Sequence, residues 1–203
     1  MVWIIKQLNA PDLWLGWIVS VAVACGIHGI AQFFSVTLMV PPHKQEKRKK
    51  SEFPQPFRFL DPLAIPLFLL TGWGWTRPYP LPQQPFEKPF LYTVLFYIAG
   101  SVGNIALAGI ISTLYTTILP SQVFAMAITI NLYVGMANLI IPVPPFSLGR
   151  GLFAAWSGHI DKRIELAVII ILTVYTFWIF KTGDTYPLAF VQKAGDFMIH
   201  LLI

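Results

Sequence analysis

Two stretches of this chain carry no formal charge over a length that exceeds a bilayer. "LWLGWIVSVAVACGIHGIAQFFSVTLMV" (13–40) runs for 28 residues and "FLYTVLFYIAGSVGNIALAGIISTLYTTIL" (90–119) for 30. A membrane helix needs about 20 mostly apolar residues. Pro41 and Pro42 end the first run and Pro120 the second, because proline cannot continue a helix. "SQVFAMAITINLYVGMANLII" (121–141) follows at once, which predicts a tight hairpin between the second and third helices. "ELAVIIILTVYTFWIF" (165–180) makes a fourth, shorter run. Only 11% of the 203 residues are charged, against about 25% in soluble domains. The expectation is an all-α integral membrane protein with about four transmembrane helices. Its one cysteine, Cys25, cannot form an internal disulfide. The first apolar run is too long for a cleaved signal and has no basic segment before it.

The segment "DPLAIPLFLLTGWGWTRPYPLPQQP" (61–85) behaves differently. Its apolar part is short and is broken by Pro62, Pro66, Gly72 and Gly74. A re-entrant hairpin is expected there. Charge supports that choice. If 61–75 turns back, eleven basic residues gather with loops 41–60 and 142–164, and three lie opposite. If it crosses, the split is six against eight. The positive-inside rule selects the first arrangement, with both basic loops on the cytoplasmic side and both termini on the other. Residues 1–185 then form one membrane domain. The tail 186–203 is too polar to span and is expected to be an interfacial amphipathic helix. Trp3, Trp14, Trp17, Trp73 and Trp75 are available for the interface belt. The cluster Lys44, Lys47, Arg48, Lys49 and Lys50 fits a topology signal that also attracts anionic headgroups. No aromatics interleave these charges, so nucleic acid is not expected as a partner.

His28 and Gln32 are one turn apart on one helix face, with Cys25 on the same side. Paired histidines at this spacing hold zinc in metalloproteases, with a glutamate after the first as general base. Here Gln32 is a neutral amide and Gly29 has no side chain. The bland alternative is a buried histidine bonded between helices. Two others are a zinc held by Cys25 and His28, and a haem or chlorophyll with His28 as axial ligand. Asp61 is expected to cap the hairpin. Asn104, Asn131 and Asn138 are expected to bond between helices. Gly100, Gly103 and Gly109 read as packing contacts. Ser147 has no candidate base near it in sequence, which argues against a serine nucleophile.

In this order the motifs resemble the site-2 protease family of intramembrane zinc metalloproteases. "HGIAQ" (28–32) stands where that family has HExxH, and "DPLAIPLFLLTGWGWTRPYPL" is similar to its D-P hairpin ending F-G-W-x-K-P. "AGSVGN" (99–104) matches A-G-P-x-x-N, and "NLYVGMANLIIPVPPFSLGR" (131–150) matches N-L…N-L-L-P-I-P-P-L-D-G-G-R, with one extra residue before Pro142. The resemblance covers about residues 15–155. It implies a site-2-protease-like core whose catalytic positions are degenerate. His28 keeps the first zinc ligand. Gly29 replaces the glutamate, Gln32 the second histidine, and Ser147 the aspartate.

The resemblance therefore implies a pseudoprotease, not an enzyme, with no zinc or other cofactor expected. The expected role is a scaffold or assembly subunit that contacts lipids and transmembrane helices of a larger complex. Asp61, Asn104, Asn131, Asn138, Pro144 and Pro145 are the expected packing or partner-groove positions. The alternatives are a metalloprotease with a rearranged site and a pigment- or lipid-binding subunit using His28.

Overall fold

The computed structural model describes residues 12–40, 55–81, 86, 88–118, 120–182 and 189–202. Among these residues the secondary structure is helical, with no strand. Three long helices form the body: α1 (Asp12–Met39), α3 (Pro89–Thr117) and α4 (Gln122–Ile140), each packed on the other two. All three are long and apolar enough to cross a membrane. At 1.5 Å per residue, even the 19 residues of α4 rise about 28 Å. On α1 the buried residues recur at helical spacing: Trp17, Val21, Ala24, Cys25, His28, Gln32 and Val36. Leu15, Ile18, Phe34 and Leu38 point outward. Apolar side chains on both faces are what a helix between a protein core and lipid requires.

The start of α4 is capped where the sequence predicts the hairpin. Ser121 Oγ accepts the Phe124 N–H at 3.2 Å, directly after Pro120.

The 61–75 segment turns back. A 3-10 turn (Pro62–Ala64) leads into the short helix α2 (Ile65–Thr71). Gly72 then reverses the chain with φ +79°, a conformation that favours glycine. Two bonds close the neck of this hairpin. The Arg77 N–H donates to the Phe59 carbonyl at 2.8 Å. Trp75 Nε1 donates to Asp61 Oδ2 at 2.9 Å. The other Asp61 oxygen accepts the Leu63 N–H at 3.1 Å, the expected cap. The segment re-emerges beside its own start.

Several expectations need correction. The stretch 142–164 is not simply a loop. It contains α5 (Ser147–Ser157), which packs on α3. The next helix, α6 (Lys162–Thr182), starts three residues before the predicted apolar run and packs on α2. The tail forms the helix α7 (Ala189–Leu202), which docks on α4. Tyr133 donates to Asp196 Oδ1 at 2.5 Å, Ser112 donates to the Leu202 carbonyl, and Val191 is buried. Trp17, Trp73 and Trp75 are core residues, not belt residues. Gly109 has nothing near it and is no packing contact, whereas Gly100 and Gly103 abut α1. Lys44, Lys47, Arg48, Lys49, Lys50 and Trp3 lie outside the described residues.

Arg150 joins three of these parts. Its Nη1 donates to the Thr76 carbonyl at 2.7 Å, on the returning arm of the hairpin. Its Nε donates to Glu165 on α6 at 3.0 Å, and Nη2 reaches the same carboxylate. Arg150→Ala leaves Glu165 and the Thr76 carbonyl without this partner. We expect it to destabilise the detergent-solubilised protein by about 3 kcal/mol, read as a lowered thermal midpoint. Arg150→Lys should recover little of the loss, because one ammonium cannot reproduce the planar fork.

Candidate functional site

The residues singled out on α1 meet α5 in the centre of the body. His28 and Ser147 are 119 positions apart, yet His28 Nε2 lies 2.8 Å from Ser147 Oγ. On the other edge of the ring, Asn104 Nδ2 of α3 lies 3.3 Å from Nδ1. Ser147 in turn bonds Asn138 of α4. The Ser147 N–H donates to Asn138 Oδ1 at 3.2 Å and Oγ lies 3.3 Å from the same atom. Asn138 Nδ2 then donates to the Gly74 carbonyl at 2.8 Å and the Val134 carbonyl at 2.9 Å. The donors point one way, from Asn104 through His28 and Ser147 to Asn138 and Gly74. In this sense Nδ1 is an acceptor and Nε2 carries the proton, a tautomer assigned from the network.

Close approach makes the relay possible. The His28 ring lies against Gly100, where an added Cβ would meet it at 2.2 Å. His28, Asn104 and Asn138 are fully buried and Ser147 is 3% exposed. A buried polar group without a partner costs roughly 1–3 kcal/mol, so the relay is what allows a histidine to sit there.

Gln32 does a different job. Its Oε1 accepts the Tyr79 N–H at 2.7 Å and its Nε2 donates to the Tyr97 carbonyl at 3.2 Å. The amide clamps the chain leaving the hairpin onto α1 and α3. Gly29 faces Phe59, whose ring would lie 2.4 Å from an added Cβ. Phe59 is 2% exposed and its 3-10 turn (Pro56–Phe59) packs on α1. The space a side chain at position 29 would enter is filled by an aromatic ring.

This donor set does not fit zinc. Zinc sites use deprotonated thiolate, neutral imidazole nitrogen or carboxylate. Both His28 nitrogens are engaged, Gln32 holds two backbone groups, and Ser147 offers a hydroxyl. Cys25 is buried in the apolar core cluster with Trp73 and Trp75. Among the described residues no three His, Cys, Asp or Glu side chains come together. A haem or chlorophyll at His28 does not fit either, because the ring nitrogens are bonded and the ring is packed on Gly100.

The sequence expectation about Ser147 is corrected, since it does have a histidine beside it. That contact resembles a nucleophile and its base. In this relay, however, Ser147 donates away from His28 to Asn138, and neither residue is open to a substrate. Asp61, Asn104, Asn131, Asn138, Pro144 and Pro145 are all buried. Asn131 bonds only within its own helix, to the Ala127 carbonyl at 2.8 Å. These six therefore shape the interior. Phe59 was not among the residues the sequence singled out. Its signal was weak: one aromatic in a Pro- and Phe-rich stretch just before Asp61.

Gly29→Ala should destabilise by about 1–3 kcal/mol through overpacking against Phe59. Phe59→Ala alone should also destabilise, by leaving a cavity. The double variant should be less destabilised than the sum of the two, a coupling read from a thermal double-mutant cycle. Additive losses would mean the two do not share that space. A fluorophosphonate probe should leave Ser147 unlabelled in the folded chain.

A Bacillus subtilis (strain 168) protein named "Putative zinc metalloprotease YwhC" is 36% identical over 104 residues. The match covers 44% of this chain and 47% of that protein. The chain thus spans about half the length of the curated relative it matches. No family model matches the chain, and no solved structure matches it.

Proposed function

We propose that this chain is a catalytically silent, site-2-protease-like membrane protein that works by binding transmembrane partners in a larger complex. One observation carries the reading: the places where the protease family holds its metal and base are taken by internal contacts. Ser147 is bonded to His28, Gln32 clamps backbone, and Phe59 covers Gly29. In the proposed topology α1, α3, α4 and α6 span the bilayer and the hairpin 61–75 enters and leaves on one side. That side also carries the basic loops. Exposed apolar residues on the outer faces, such as Leu38 and Ile110, supply contact area for lipid or partner helices. Similarity to a named zinc metalloprotease supports the fold assignment and leaves the loss of chemistry to rest on His28, Gly29, Gln32 and Ser147.

The metal half of the reading is tested by elemental analysis of the purified full chain. We expect far less than one zinc per chain, unchanged by His28→Ala. About one zinc, lost in His28→Ala, would overturn it. Gly29→Glu, Gln32→His and Ser147→Asp together should still fail to hold zinc unless Phe59 is also reduced to alanine. The binding half is tested by photo-crosslinking from Leu38 and Ile110 in native membranes. Discrete adducts with other membrane chains are expected, and a chain that crosslinks only to lipid would contradict the scaffold role.

A further inference from the structure

The α5–α6 corner carries a feature that the central site does not use. A cavity of about 520 Å³ opens there, within the size range of small-molecule sites. Leu152, Phe153 and Trp156 of α5 and Ile164 of α6 give it apolar walls, and His159 and Asp161 stand at the turn between the helices. Trp156 is 88% exposed, unlike the tryptophans of the core. A tryptophan so exposed near the end of α5 suits the headgroup layer.

The surroundings name the occupant. From Ile164 an exposed apolar stripe continues down α6 through Ile170, Ile171, Val174 and Phe177. The cavity is therefore the upper end of a track along the outer face of α6. Beside it, Lys162 and Arg163 are exposed and lie in sequence between the lining residues Asp161 and Ile164. Asp161, whose Oδ1 accepts the Arg163 N–H at 2.8 Å at the start of α6, keeps its negative charge and offsets one of the two cations, so the corner stays net positive. His159 bonds the Ser157 carbonyl through Nδ1 at 3.0 Å, which leaves its other ring nitrogen pointing elsewhere. An apolar slot and track that end at two cations match one molecule with a hydrocarbon chain and an anionic head.

We propose that the α5–α6 cavity binds one anionic phospholipid, its acyl chain against Phe153, Trp156 and Ile164 and its phosphate at Lys162 and Arg163. The site rests on the membrane placement of α6 and not on the loss of protease chemistry.

The test uses the full chain in nanodiscs of phosphatidylcholine containing a minority of phosphatidylglycerol that bears a photoreactive acyl chain. Crosslinks mapped by mass spectrometry should fall between Leu152 and Ile164. The matching photoreactive phosphatidylcholine should label this stretch several-fold less. Lys162→Gln with Arg163→Gln should lower the phosphatidylglycerol preference, by about fivefold per charge removed. Both positions are exposed, so folding should be unaffected. A pocket-filling variant, Ser157→Trp, should reduce labelling for both lipids. Equal labelling by the two lipids, labelling confined to the 44–50 loop, or a preference that survives the double substitution would each overturn the proposal. So would a protein crosslinked in the cavity with lipid excluded.

Discussion

The relay from Asn104 through His28, Ser147 and Asn138 to the Gly74 carbonyl holds together parts that are remote in sequence. It joins α1, α3, α4, α5 and the re-entrant hairpin within a few side chains. In an apolar surrounding each of these groups needs an internal partner, since neither lipid nor core supplies one. That need fixes how α5 sits on the body. Once α5 is in place, Arg150 on its next turn reaches the hairpin and α6. The hairpin is held from two sides, by Arg150 at Thr76 and by Gln32 at Tyr79.

The same relay occupies the polar groups that a metal would need. A metal site needs free lone pairs that converge on one point. Here the polar side chains of His28, Gln32 and Ser147 are spent on other groups of the chain, and the Phe59 ring fills the space beside Gly29. Gly29 and Phe59 are complementary in shape. A side chain at 29 and the ring at 59 cannot both be present without rearrangement. The polar side chains at these positions are thus bonded inside the chain, and the space beside Gly29 is packed by the Phe59 ring.

Much of this was legible in the sequence because membrane helices announce themselves by length and by the prolines that end them. The ends of α1, α3 and α4 fall two or three residues before Pro41, Pro120 and Pro142. The turning back of 61–75 was legible from its breakers and from the charge balance. Other features were hidden. Helix α5 contains Gly149, Gly151 and Arg150 and has no long apolar run, so a search for spans passes over it. The docking of α7 depends on Gly195 admitting the Tyr133 ring, a contact across 62 positions. The His28–Ser147 contact crosses 119 positions, and nothing in the local pattern around Ser147 points to a histidine on α1. Motif order placed both residues at one site, but only the geometry brings their atoms within bonding distance.

We propose that the interior site is closed and chemically silent. The most direct test is a cleavage assay with the purified full chain in phospholipid vesicles, supplied with zinc and single-pass helical substrates. Intact substrates are expected, with or without zinc, and the same result for His28→Ala. Cleavage within a substrate helix that requires zinc and is lost in His28→Ala would contradict it.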